Sequence, residues 1–109
     1  MTYSLRFTED AKKEWDKLDA GIRKKLAKKL KDRRETPRVP SAKLTGMKDS
    51  YKIKLRDDGY RLVYTVVDET ITIDVITVGK RNKNLVYKAI CKTGLEIMLY
   101  NSIYIIHHT

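Results

Sequence analysis

Apolar and polar positions alternate along Tyr3-Ser4-Leu5-Arg6-Phe7, the two-residue period of a half-buried strand. Thr8 then precedes Glu9 and Asp10, a hydroxyl cap with acids at the positive end of a helix dipole. Ala11, Trp15 and Leu18 follow at helical spacing and are expected to face a core. Gly21 marks a break. Ile22, Leu26 and Leu30 repeat every four residues beyond it and predict a second helix that ends before Pro37. The short link Asp19-Ala20-Gly21 folds the two helices into a hairpin.

Residues 36–50 hold Pro37, Pro40 and Gly46 and are expected to form a connecting loop. Three strand-like runs follow, over 51–56, 60–67 and 70–78. Asp58-Gly59 signals a two-residue hairpin turn between the first two, and Asp68-Glu69 a second tight turn. After Gly79 a helical pattern resumes with Leu85, Val86, Ala89 and Ile90. The expected class is α+β: a strand, a helical hairpin, an antiparallel meander, a short C-terminal helix and an apolar tail. Residues 1–92 are expected to form the domain and 93–109 the tail. The Ile103-Tyr104-Ile105-Ile106 run reads as a strand or an exposed sticky segment. Three placements are open for the tail: in place of a C-terminal helix, as an edge strand, or over the sheet.

A two-residue turn at Asp58-Gly59 pairs Arg56 with Arg61, Leu55 with Leu62 and Lys54 with Val63, and the next turn sets Arg61 opposite Ile76. Tyr51, Ile53, Leu55, Leu62, Tyr64 and Val66 then share an apolar face that packs on the helices. Lys52, Lys54, Arg56 and Arg61 share the other face. Like charges set opposite one another on a sheet repel, so a surface that keeps them is shaped to hold an anion. An ordinary solvated sheet face is the plainer alternative, because cations also discourage edge pairing.

Charge strengthens the anion reading. The chain has 109 residues with 24 Lys and Arg against 14 Asp and Glu, a formal charge of +10. All the Lys and Arg lie in residues 1–92, and beyond them Glu96 is the only acid. Such a field favours a polyanionic partner, nucleic acid foremost. Lys24 and Lys28, within a run from Arg23 to Arg34, are candidate phosphate contacts that position the protein on RNA, a solvated helix face being the plainer alternative for the run by itself. At 109 residues and 41% hydrophobic the chain suits one domain with a modest core. No run approaches the ~20 apolar residues of a membrane span. Cys91 is the only cysteine, which excludes an internal disulfide or a cysteine-built zinc site and fits a reducing, cytoplasmic compartment.

The usual catalytic groups are scarce. The two histidines, His107 and His108, stand at the extreme C-terminus, no Gly-rich phosphate loop is present, and the acids form no two-metal pattern. Neither a metal nor a cofactor is expected. Lys, Arg and Tyr beside a phosphate-binding face remain, and such a site could cleave RNA through its own ribose 2′-OH. Lys titrates near ~10.4 and Arg above ~12, so neither is a ready base at neutral pH. Crowding by like charges lowers a lysine's pKa, which makes Lys52 or Lys54 the candidate base.

Four separated motifs resemble the RelE family of bacterial toxins: Leu44-Thr45-Gly46-Met47, Tyr51-Lys52-Ile53-Lys54-Leu55-Arg56, Gly59-Tyr60-Arg61-Leu62-Val63-Tyr64 and Val78-Gly79-Lys80-Arg81. The resemblance covers about residues 1–90. It implies the small RelE/ParE-like fold and a ribosome-dependent endoribonuclease that cuts mRNA in the A site. It also implies a RelB-like antitoxin, a 70S ribosome with its 16S rRNA and mRNA as partners, and operator DNA met only through the antitoxin. Carried over by position, it assigns Lys52, Lys54, Arg61, Arg81 and Tyr87 to the active site. Lys54 would be nearest the attacking 2′-OH, Lys52 and Arg61 would stabilise the phosphorane, Arg81 would protonate the leaving group and Tyr87 would stack on the mRNA. Arg56, Lys80 and Lys83 are expected RNA contacts. Thr45 stands where some relatives place an arginine, and the tail has no counterpart. Two other classes stay open: a non-catalytic ribosome- or nucleic-acid-binding module, and a gyrase-poisoning toxin of the ParE type.

Overall fold

The computed structural model describes residues 2–80 and a short strand, Tyr104–Ile106. The chain runs through β1 (Ser4–Phe7), α1 (Glu9–Asp16), α2 (Ala20–Glu35), a 3-10 turn (Pro40–Ala42), β2 (Ser50–Leu55), β3 (Tyr60–Val67), β4 (Thr72–Lys80) and β5 (Tyr104–Ile106). The strands form one mixed sheet in the order β2-β3-β4-β1-β5, an α+β architecture. β1 runs parallel to β4, and every other pair is antiparallel. β5 therefore takes the edge-strand option, at the edge farthest from β2. The short helix expected after Gly79 and the boundary near residue 92 lie outside the described residues.

Local chemistry sets the helix ends. Thr8 caps α1, its hydroxyl accepting from the Ala11 amide at 3.2 Å. The break falls earlier than Gly21. Asp19 caps α2 by accepting from the Gly21 amide at 3.0 Å, so that glycine lies inside the first turn of the helix. Ala11, Trp15, Ile22, Leu26 and Leu30 are buried against one face of the sheet with Leu5, Phe7, Tyr51, Ile53, Leu62, Tyr64, Ile73 and Val75. Phe7 meets Trp15 edge-on at 5.1 Å, which ties β1 to α1.

Both hairpins are wider than expected. Arg56–Gly59 is a four-residue turn closed by Gly59 N–H donating to Leu55 O at 2.9 Å. A two-residue type I′ turn needs positive φ at both central positions, yet here Gly59 (φ 71°) has it and Asp58 does not. The register slips by two residues: Lys54 stands opposite Arg61, Ile53 opposite Leu62 and Leu55 opposite Tyr60. Arg56 thus leaves the strand, and the expected Arg56–Arg61 pair does not form. An even slip keeps each side chain on its original face, so the facial assignment survives. In the second hairpin Val67 pairs with Thr72, because Ile71 turns left-handed (φ 53°) and ends the loop there. A bulge between Val63 and Tyr64 then sets Gly79, not Ile76, opposite Arg61.

The second face of the sheet is only partly open. Leu44 and Met47, from the loop before β2, fold over Val63 and Ile76 as a small separate apolar cluster. Beside it Arg6 grips the wholly buried Asp74 with two hydrogen bonds of 2.8 Å, locking β1 to β4.

Candidate nucleic-acid interface and cleavage face

Lys52 and Lys54 alternate with the buried Tyr51, Ile53 and Leu55, so β2 itself turns both ammonium groups to the face away from the helices. Arg61 joins them from β3, directly across from Lys54. All three are half-buried. The Nε of Arg61 is buried and has no hydrogen-bond partner among the described residues. A buried donor without an acceptor is uncommon in folded proteins and marks a place where an oxyanion can bind. The residue opposite it on β4 is Gly79, which adds no side chain to that spot.

β2 is the outer strand at this end of the sheet, and a cationic groove opens between it and α2. One cavity of about 390 Å³ is lined by Lys29, Arg33, Lys52, Lys54 and Arg56 among others. A second of about 630 Å³ continues past Lys25, Lys28, Lys29, Lys54 and Arg56, with Asp32, Asp57 and Asp58 in its wall. Lys29, Asp32, Lys54 and Arg56 belong to both. Asp58 holds Lys25 at 2.8 Å, and that hydrogen bond and ion pair raise the Lys25 pKa. Lys28 is exposed and reaches this groove, whereas Lys24, one turn earlier, does not line it.

The edge of β2 is anchored from beneath. Arg33, on α2, donates through Nη1 to Lys52 O at 3.1 Å and to Tyr64 Oη at 2.9 Å. Tyr64 passes its own proton on to Pro37 O at 2.6 Å and stacks on Tyr51 with centroids 5.8 Å apart. Burial pushes the Tyr64 hydroxyl above its ordinary pKa, with the Arg33 cation opposing the shift, so it remains a donor.

The structure thus gathers Lys52, Lys54 and Arg61 on one face and brings Arg56 and Lys28 to the adjoining groove. Lys80 goes elsewhere. Paired with Tyr60, which packs toward the helix-side core, it stands on the opposite face from Arg61. Arg81, Lys83 and Tyr87 lie outside the described residues. Sequence reasoning held Lys29 and Arg33 only as members of the basic run on the second helix, because their positions on the α2 face toward β2 depend on how helix and sheet dock. Among the described residues no group of three or more His, Cys, Asp or Glu could hold a metal ion. No described helix is long and apolar enough to cross a membrane.

Residues 5–85 match the family model of the ParE toxin of the type II toxin–antitoxin system, parDE. This chain belongs to the RelE/ParE family of type II toxins. Within it, an Escherichia coli protein described as a putative RelE-like toxin is 56% identical over 87 residues, covering 80% of this chain and 92% of that relative. The mRNA interferase toxin RelE of Escherichia coli K12 is 52% identical over 92 residues, covering 84% and 97%. The RelE/ParE fold is matched as well. A free-state E. coli RelE carrying two arginine-to-alanine substitutions gives a TM-score of 0.79 at 50% identity, covering 85% of this chain and 98% of that one. The toxin in the intact E. coli RelBE toxin–antitoxin complex gives 0.71 at 51% identity, covering 76% and 100%.

Proposed function

We propose that this chain is the toxin of a type II pair and acts as an mRNA interferase, a ribosome-dependent endoribonuclease that cuts mRNA in the A site and stops translation. The observation that carries this reading is the cation pair Lys54–Arg61, set directly across the β2–β3 ladder beside Lys52, with the Arg61 Nε buried and unbonded among the described residues. Membership of the family and the names of its relatives support the same activity.

In the proposed reaction the ribose 2′-OH attacks the adjacent phosphorus. Its proton passes to Lys54, or to water that Lys54 activates, as the new O–P bond forms. Lys52 and Arg61 neutralise the additional charge on the phosphorane, the largest contribution such a site can make. The bond to the 5′-oxygen breaks, Arg81 supplies its proton, and a 2′,3′-cyclic phosphate is left. Tyr87 stacks on the mRNA to hold the attack in line. Arg56, Lys28, Lys24 and Lys83 carry phosphate contacts, with the 16S rRNA and mRNA as partners, whereas Lys80, on the opposite face from Arg61, has no part in them. A cytoplasmic RelB-like antitoxin silences the toxin and meets operator DNA on its behalf.

Mapping mRNA 5′ ends during cell-free translation tests this. Wild type is expected to create new ends only when ribosomes are present. Lys54→Ala, Arg61→Ala and Arg81→Ala are each expected to lower the cleavage rate about a hundredfold. Arrest without new ends would mean a binding module, and broken DNA with intact mRNA would mean the gyrase-directed activity of ParE-type toxins.

A further inference from the structure

β2 carries two of the proposed catalytic lysines, yet it is an outer strand, hydrogen-bonded to β3 on one side only. Ser50 O accepts from the Leu44 amide at 2.9 Å and Lys52 O accepts from Arg33, so the carbonyls of these even-numbered residues point outward. The Leu44 contact and the isolated bridge between Lys43 and Tyr51 secure the start of the strand. Further along, Arg33 holds the outer edge from α2. Its Nη1 reaches Lys52 O from the third-last residue of α2, two positions before Lys54 in the strand. The same nitrogen bonds Tyr64 Oη, its guanidinium carbon lies 5.7 Å from the Tyr64 ring centroid, and Tyr64 is wholly buried and fastened to Pro37 O. Through Arg33, the helix, the loop and β3 are therefore tied to one backbone carbonyl between the two lysines.

We infer that Arg33 is a positioning residue for RNA cleavage: by joining the Lys52 carbonyl to Tyr64 it fixes the free edge of β2 and sets where Lys52 and Lys54 stand against the scissile phosphate. This rests on the mRNA interferase reading. A displacement of about 1 Å at a reacting group is enough to cost a hundredfold in rate, and an edge strand held by one ladder is where such a displacement is easiest. Arg33 is part-buried and commits its Nη1 to the protein, so the contribution proposed for it is to geometry. A lysine there keeps the charge but loses the planar guanidinium that lies against the Tyr64 ring.

The test compares Arg33→Met, Arg33→Lys and Tyr64→Phe as full-length toxins on mRNA-programmed ribosomes, with kcat and KM measured separately and amide exchange followed at Ile53, whose backbone faces β3. Arg33→Met is expected to lower kcat at least tenfold with KM within twofold, and to speed Ile53 exchange. Arg33→Lys is expected to recover part of the kcat, and Tyr64→Phe to lose less than Arg33→Met because the Lys52 bond remains. Should Arg33→Met fail to fold, a kcat deficit in Arg33→Lys at unchanged KM decides for positioning. Unchanged kcat in both Arg33 variants, or a raised KM at unchanged kcat, overturns the inference. If wild type makes no cut at all, the interferase reading fails instead, and unaltered Ile53 exchange in Arg33→Lys and Tyr64→Phe then overturns the clamp on its own terms.

Discussion

Two residues carry local costs that the rest of the fold sustains, and they differ in kind. Arg61 keeps a buried Nε without an acceptor among the described residues, on the face where RNA is proposed to lie, so occupation by a phosphate removes that cost. Ile71 offers no such return. It is a β-branched residue at φ 53°, 39% exposed at the end of the β3–β4 turn, and left-handed backbone costs an ordinary L-residue roughly 1–2 kcal/mol. Asparagine tolerates this region far better, and part of the isoleucine side chain is already in solvent. Ile71→Asn is therefore expected to raise unfolding stability by about 0.5–1 kcal/mol, read from urea denaturation midpoints at unchanged slope, with RNA cleavage unaltered.

At the scale of elements, the β2–β3–β4 meander shows which parts of the site a sequence can reveal. Strand alternation assigns Lys52, Lys54 and Arg61 to one face, and that assignment withstands a two-residue slip because the side-chain period is two. The partner of Arg61 was not legible, since it depends on whether Asp58 adopts positive φ, which tertiary contacts such as Lys25–Asp58 help decide. The cover that Leu44 and Met47 place over Val63 and Ile76 was equally hidden, because a loop's docking has no periodicity to betray it. A second inter-element tie has a measurable signature. Arg38 holds Asp68 through two hydrogen bonds of 3.0 and 3.1 Å, and Tyr3 adds one of 2.8 Å, joining the loop after α2 to the β3–β4 turn and to β1. The hydrogen bond from Arg38 and then that from Tyr3 hold the Asp68 carboxyl below its usual range. A carboxylate whose pKa is depressed by folding stabilises the native state above its unfolded pKa and loses that contribution as pH falls through the folded one. Asp68→Asn is thus expected to lower the melting temperature at neutral pH, and its difference from wild type is expected to shrink on acidification below the ordinary carboxylate range. β5 supplies the third element-level expectation. Three strands separate it from β2, so deleting residues 102–109 is expected to leave cleavage on programmed ribosomes within about threefold of wild type, while exchange at the Leu5 and Phe7 amides speeds up as β1 becomes an edge.

For the whole molecule the governing quantity is a formal charge of +10 on 109 residues, distributed so that α2 and the outer edge of β2 form one cationic border beside the proposed cleavage face. Partner binding across such a border releases condensed counterions, and the logarithm of the association constant falls linearly with the logarithm of salt concentration, by about 0.7–0.9 for each phosphate neutralised. Not all of the border's cations are equal in this respect. Lys25 is already matched by Asp58 at 2.8 Å, so removing it exposes an acid as well as deleting a base, whereas no ion pair with Lys28 is present among the described residues. Lys28→Ala is accordingly expected to reduce the salt slope of ribosome association by about one contact's worth, leaving kcat for cleavage near wild type. Arg61→Ala is expected to reverse that pattern, with a large loss in kcat against a small change in slope, because its guanidinium works on the phosphorane more than on docking. Titrating labelled toxin onto programmed ribosomes across a salt series, with cleavage rates taken on the same samples, separates the two. Equal slopes for wild type and Lys28→Ala would remove α2 from the docking surface and leave affinity to the sheet face alone.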